Sequence, residues 1–296
     1  MPAPINTTGE IAGWLEAHHA TPVTGLEPLS GGYWSKAYAY VVQGQELVLR
    51  LGERGEGFEA DRNAMAFDSD ALPVPEVLHV GEALGRACAI SRRHHGRFLE
   101  DVRPEEAAVT GPMLGGLLAA LRAVSPAAGP SWRRWLVDSL VENPQGRQAG
   151  WRAMVAAEPE YDRLFRAAEQ RLHALLDACP ERRDLVHGDL LHQNVLVSTD
   201  GARPTAVFSW KCSLRGDHLY DTAWCTFWAP WHPGIEAADA WGRTPDPGPD
   251  ASLRHHAYEL HIGAVHLGWC AWSGEGDLTV LAQRVAEVLQ RGPLST

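Results

Sequence analysis

Leu185-Val186-His187-Gly188-Asp189-Leu190-Leu191-His192-Gln193-Asn194-Val195-Leu196-Val197 is the stretch from which the rest of this sequence can be organised. Two short apolar runs, one ending at Val186 and one starting at Val195, read as strands around a polar loop. The loop opens on His-Gly-Asp and closes on Asn. A loop carboxylate such as Asp189 can accept a proton from a hydroxyl. Asn194, five residues later, can turn its side-chain carbonyl oxygen toward a divalent cation. The bare Asp-x4-Asn spacing arises often by chance, but between two strands and after His-Gly it becomes specific.

Strands dominate the chain up to about residue 93, and helices from there on surround this stretch. Residues 5–20 place Ile11, Trp14 and Leu15 on one side of a short helix. Residues 38–42 and 46–51 are β-rich and flank the turn Gln43-Gly44-Gln45, which predicts a hairpin. A charged helix is expected over 58–67, followed by the proline-punctuated segment 72–78 and a second strand pair, 77–80 with 87–90. Helix-spaced leucines then run through 105–121 and 161–178, with a loop marked by Pro126, Gly129 and Pro130 between them. The strand-rich island 185–210 interrupts the helices, and the Pro/Gly-rich segment 244–249 breaks them again. No internal repeat is visible. The order predicts an α+β fold of two lobes: residues 1–93 as a small antiparallel β lobe, and 94–296 as a larger, mainly helical lobe. A cleft between lobes is the usual place for a ligand.

The 296 residues are 45% apolar and 21% charged, which suits a folded globular chain and excludes bulk disorder. The richest apolar run, residues 117–121, falls far short of the ~18 residues of a membrane span. Met1-Pro2-Ala3-Pro4 has neither a basic start nor an apolar core, so no signal peptide is expected and the location predicted is cytoplasmic. Five widely spaced cysteines without a CxxC pair suit a reduced compartment. The 14 histidines lack a metal-ligand spacing over His255, His256, His261 and His266. With 26 basic and 37 acidic side chains the net charge is −11, which disfavours nucleic acid and suits a cationic small molecule. Lysine occurs only at 36 and 211.

The Asp-x4-Asn loop has the spacing of a phosphoryl-transfer catalytic loop. Over residues 29–272 the chain resembles the aminoglycoside phosphotransferase family. The resemblance is carried by Leu29-Ser30-Gly31-Gly32-Tyr33-Trp34-Ser35-Lys36-Ala37, Leu47-Val48-Leu49-Arg50, Ile90-Ser91-Arg92-Arg93, the loop itself and Arg215-Gly216-Asp217-His218-Leu219-Tyr220-Asp221. Phe227-Trp228-Ala229-Pro230-Trp231 points to its hygromycin B phosphotransferase subgroup.

The resemblance implies a protein-kinase-like fold that moves the γ-phosphate of ATP or GTP, with Mg²⁺, to a hydroxyl of an aminoglycoside-type molecule, conferring antibiotic resistance. It implies a monomer that binds a nucleoside triphosphate and a cationic acceptor, with no nucleic acid or membrane partner. Asp189 matches the catalytic base and Asn194 a metal ligand. Ser30, Gly31, Gly32, Ser35, Arg50, Ser91 and Arg93 match nucleotide-binding positions, Arg50 standing where lysine is usual. Asp61 or Glu59 would pair with Arg50, Asp61 being preferred. His187, Asp217 and Asp221 would brace the loop. Trp228, Trp231 and Glu259 are candidates for the acceptor pocket, where aromatic faces and acids suit a cationic sugar.

One position departs from the family pattern. After the strand Thr205-Ala206-Val207-Phe208 the family places a metal-binding Asp before Trp, and this chain reads Ser209-Trp210. Serine offers a neutral ligand where magnesium favours a carboxylate. Three outcomes stay open: a working phosphotransferase, a catalytically impaired binder of nucleotide or drug, or a kinase for another small metabolite. If the strand continued, Lys211 would face the same side as Ser209 and supply a cation; otherwise it faces solvent.

Overall fold

The computed structural model describes residues 7–30 and 34–294. In chain order these residues form α1 (Thr8–His19), β1 (Thr24–Leu29), β2 (Ser35–Val42), β3 (Gln45–Gly52), α2 (Glu56–Ala64), β4 (Val77–Ala83), β5 (Arg86–Arg92) and β6 (Arg97–Phe98). Next come α3 (Ala107–Ala123), α4 (Trp132–Asp138), α5 (Trp151–Ala156), α6 (Pro159–Leu175), β7 (Asp184–Val186), β8 (Val195–Val197), β9 (Pro204–Val207) and β10 (Leu214–Gly216). The chain closes with α7 (Leu219–Trp228), α8 (Pro233–Ala238), α9 (Ala251–Ser273) and α10 (Leu278–Arg291). No helix among the described residues is long and apolar enough to cross a membrane.

Two compact units form, and they do not part at residue 93. The first runs through Asp101 and takes back residues His192–Cys212; the second comprises Val102–Leu191 and the chain from Ser213 onward. The cause is strand pairing: β6 joins β8 with Arg97 opposite Val197, and β8 joins β9 with Val195 opposite Val207. Backbone hydrogen bonds of the first unit therefore recruit a segment about a hundred residues distant.

The first unit is built on an antiparallel sheet of order β1-β2-β3-β5-β4. Its β2–β3 hairpin closes on Gln43 and Gly44 at φ 51° and 76°, and β4–β5 closes on Leu84 and Gly85 at 54° and 73°. Two left-handed residues at each corner match the twist of the strands, and the β2–β3 turn is one residue tighter than the sequence pattern suggests. Alternation sorts the side chains. Tyr38, Tyr40 and Val42 on β2, Leu47, Leu49 and Leu51 on β3, and Cys88 and Ile90 on β5 form one buried face with Ile11 and Leu15 of α1. Ala37, Val48, Arg50 and Ser91 fall on the other face. Helix α1 starts in a capping box between Thr7 and Glu10, which satisfies otherwise orphaned N–H groups.

The second unit wraps α6, α7 and α10 around α9, a helix buried along most of its length. Polar residues in that core are paired. Asp217 is fully buried and accepts from Arg254 Nε and Nη2 at 2.8 Å and from the Tyr258 hydroxyl at 2.7 Å. His261 is held between the Ser139 hydroxyl at 2.7 Å and the Tyr220 hydroxyl at 2.9 Å. Burial, with a smaller contribution from His266, pushes His261 from 6.5 down to about 3. The unfolded chain therefore binds a proton that the folded chain refuses, and stability falls as pH drops from about 6.5 toward 3. The slope from this one group is about 1.4 kcal/mol per pH unit. Denaturant unfolding of His261→Gln between pH 6 and 4 should show a dependence shallower by about that amount; an unchanged slope would count against a neutral, buried His261.

Candidate active site

The pocket face of the first unit opens on a cavity of about 350 Å³, within the range of small-ligand sites. Ala37, Val48, Val77, Phe98, Leu196 and Val207 give it apolar walls suited to a flat ring system. Ser30, Ser35, Arg50, Ser91 and Arg93 all line it, as do Asp61, Asn194 and Ser209. Gly31 and Gly32 lie outside the described residues.

Arg50 reaches this cavity because β-alternation points it away from the core residues Leu49 and Leu51. Its Nη2 pairs with Asp61 Oδ2 at 2.5 Å, and its guanidinium lies 5.1 Å from the Phe58 ring centroid. Asp61 Oδ1 accepts the Trp210 backbone N–H at 2.8 Å, so one buried carboxylate joins β3, α2 and the segment after β9. Glu59, the other candidate, pairs instead with Arg62 on its own helix. Arg93 turns its guanidinium to Glu27 at 3.0 Å and Glu46 at 3.8 Å, while its backbone N–H bonds the Glu46 carbonyl.

Residues 192–194 enter the pocket through a constrained backbone. His192 and Gln193 have φ 62° and 65°, a region that residues other than glycine seldom occupy. Glu100, on the turn after β6, accepts the Gln193 N–H and fixes this bend. Burial raises the Glu100 carboxyl above its ordinary value, although the Gln193 N–H and the charge of His192 oppose that rise. Nothing in the local sequence pattern marks Glu100, because its role depends on β6 pairing with β8.

Ser209 also has a left-handed backbone, φ 70°, and is half-buried. Beyond it residues Trp210–Cys212 form a 3₁₀ turn, so strand geometry has ended. Lys211 is exposed, packs beside Gly57 and lies 5.6 Å from the Trp34 ring centroid; it is not part of the cavity lining. Of the two placements open for Lys211, the solvent-facing one is found, because the strand ends before residue 210.

The polar end of the cavity suits phosphate better than a resident metal. Asn194 and Ser209 offer an amide and a hydroxyl oxygen, both neutral. Among the described residues lining the cavity the one carboxylate, Asp61, has both oxygens engaged by Arg50 and Trp210. Magnesium bound by few protein groups prefers carboxylate, so this donor set does not fit a protein-held ion. Asp184, Asp217 and His218 in the second unit cluster closely enough to bind a cation, but Arg182 and Arg254 already neutralise the two acids. Burial alone would raise Asp184; its bonds to His218 and Arg182 hold it well below the carboxylate range.

In the second unit, β7 delivers His187-Gly188-Asp189. From Asp184 to Leu191 every residue is buried except Asp189, which is partly exposed. Asp221 on α7 accepts the N–H groups of His187 at 2.9 Å and Gly188 at 2.8 Å, which holds the loop from below. Burial raises Asp221 to about 6, against the pull of those donors and His218, with the charge of Asp189 adding to the rise. His187 Nδ1 accepts the Asp189 N–H at 3.2 Å, which assigns the proton of the neutral ring to Nε2.

Trp231 is 36% exposed and its ring lies 5.2 Å from that of half-buried Trp228, which also contacts His266. These two indoles present an aromatic surface. Glu259 does not. It is 0% exposed, is bound by Arg291, accepts from Thr226 at 3.3 Å and lies 3.3 Å from His255 and 3.7 Å from Arg284. The expected acceptor-pocket acid is a core charge, because the buried face of α9 carries it inward.

Residues 25–256 match the family model described as the phosphotransferase enzyme family. The chain is 32% identical over 295 residues to a hygromycin-B 4-O-kinase from Escherichia coli, covering 93% of this chain and 83% of that protein. A thermostable mutant of aminoglycoside phosphotransferase APH(4)-Ia, crystallised with AMP-PNP and hygromycin B, superposes with TM-score 0.83 at 28% identity, over 95% of this chain and 98% of that one. Spectinomycin phosphotransferase APH(9)-Ia, at 12% identity and TM-score 0.62 over 97% of each chain, shares the fold.

The Asp61 carboxylate gives the site its test. Asp61→Ala should cost about 3 kcal/mol, by orphaning the Trp210 N–H and unpairing Arg50, while Asp61→Asn, which keeps an acceptor, should cost less. Equal destabilisation in denaturant titrations would show that the Trp210 bond contributes nothing.

Proposed function

The chain belongs to the phosphotransferase enzyme family, and on that premise we propose that it transfers the γ-phosphate of ATP or GTP to a hydroxyl of an aminoglycoside of the hygromycin B type. The observation that carries the reading is Asp189, the partly exposed carboxylate in an otherwise buried run, on a loop braced by Asp221.

The purine ring fits between Val48 and Ala37 on one side and Leu196 and Val207 on the other, with Ser91 on β5 and Arg93 just after it at the edge of the cavity. Arg50, oriented by Asp61, is the cation for the phosphates, and its planar donors can grip two oxygens at once. Asp189 accepts the acceptor's hydroxyl proton as the oxygen bonds to the γ-phosphorus. The bond from that phosphorus to the β–γ bridging oxygen breaks, and the nucleoside diphosphate leaves. Magnesium is expected as a companion of the nucleotide, with Asn194 and Ser209 as its nearest neutral donors. Trp228 and Trp231 suit stacking against a sugar, and the net charge of −11 suits a polycation. The consequence for a cell would be resistance to the drug, with the enzyme acting as a cytoplasmic monomer.

Ser209 favours a second reading, a protein that binds nucleotide and drug without turnover. An assay with ATP or GTP, Mg²⁺ and hygromycin B separates the two. Phosphorylated drug should form, and Asp189→Asn should lower the rate about 10³-fold while leaving nucleotide affinity unchanged. Absence of product with intact nucleotide binding would move the assignment to the second reading.

A further inference from the structure

A donor set that does not fit a resident metal changes how the pocket handles its ligand. We infer that this chain binds a nucleoside triphosphate without help from a protein-held divalent cation, the ion travelling on the phosphates alone. The inference rests on the proposed nucleotide reading of the cavity.

Among the described residues the cavity lining includes Arg50, Asn194 and Ser209, and Asp61 is its one carboxylate. Asp61 has one oxygen on Arg50 and the other on the Trp210 N–H, so it has no oxygen left to act as a metal ligand without breaking that joint. Asn194 and Ser209 carry no charge. A carboxylate at this end would do two things. It would attract the divalent ion, and it would repel a bare triphosphate. Two neutral oxygens do neither strongly. The metal-bound and metal-free forms of the nucleotide therefore differ little in their interaction with the pocket, and a ligand with equal affinity in two forms shows no linkage between them.

The backbone supports the same conclusion from another direction. At φ 70°, residue 209 occupies a region where Asp and Asn are several-fold enriched over other L-residues. The bend that would aim a carboxylate is present, and the side chain on it is a hydroxyl. A carboxylate or an amide can be restored there without new backbone strain, which makes both substitutions informative.

The test measures the affinity of AMP-PNP for the full chain, for Ser209→Asp and for Ser209→Asn, each in excess EDTA and in excess Mg²⁺. The unsubstituted chain and the Ser209→Asn variant should each bind within about threefold in the two buffers, whereas Ser209→Asp should bind at least about tenfold tighter with Mg²⁺. The Asn variant shares the backbone preference of Asp and lacks its charge, so it isolates the electrostatic effect. Thermal melts of the three should agree to within a few degrees. A tenfold or larger Mg²⁺ dependence in the unsubstituted chain would overturn this inference alone. An Asp variant indistinguishable from the Asn variant would also overturn it. Failure of all three to bind AMP-PNP in either buffer would overturn the nucleotide reading, and this inference with it.

Discussion

The Asp61 carboxylate is the joint on which the first unit depends. Its Oδ2 takes Arg50 from β3, its Oδ1 takes the Trp210 N–H, and its own backbone belongs to α2. Three segments far apart in sequence are thereby fixed about one buried charge. The arrangement is stable because the charge is paired and both oxygens are bonded, which offsets the desolvation of a carboxylate that is 4% exposed. The same joint sets the electrostatics of the cavity. Arg50 keeps its orientation but shares its charge with Asp61, so phosphate recognition relies on its directional donors as much as on net charge. A lysine at residue 50 could satisfy the ion pair but not a planar, two-oxygen grip.

The second unit solves a similar problem in a different way. Asp221 must hold two backbone N–H groups so that His187-Gly188-Asp189 turns with only Asp189 facing outward. Burying it raises its pKa to about 6, and the nearby charge of Asp189 adds to that. Deeper in the same unit the acids are neutralised in place: Asp217 by Arg254 and Tyr258, Asp184 by Arg182 and His218, Glu259 by Arg291. The ion pairs of Glu259, the one acid on α9, explain why it is unavailable to a ligand.

Local patterns were legible where one face of an element decides the outcome. Alternation along residues 46–51 fixed which side chains are core and left Arg50 on the opposite face. The Gln43-Gly44 corner marked its hairpin, and the apolar runs around His187–Asn194 marked their strands. What local pattern could not give was long-range pairing. The return of residues 192–212 to the first unit depends on β6 meeting β8, two short strands with no distinctive composition. Glu100 follows from the same pairing. Glu259 was misplaced for the converse reason: an acid in an apolar helix reads as a functional group, and only the arginines of α10 show that it is a structural one.

At position 209 the backbone and the charge come apart. Its left-handed backbone, the Asp61 bond to the next residue and the backbone bond from the Phe208 N–H to the Asn194 carbonyl form one frame. Neither hydrogen bond uses the side chain at 209, and the left-handed backbone there accepts Asp or Asn, so the frame can persist when Ser209 becomes either. A fold held by backbone contacts thus tolerates a change of charge at its ligand-facing end that a fold held by the charge itself would not. That separation lets the same architecture keep a nucleotide cavity while altering what the cavity asks of a metal, and it places the burden of orienting the phosphates on Arg50 and on the ligand's own counterion.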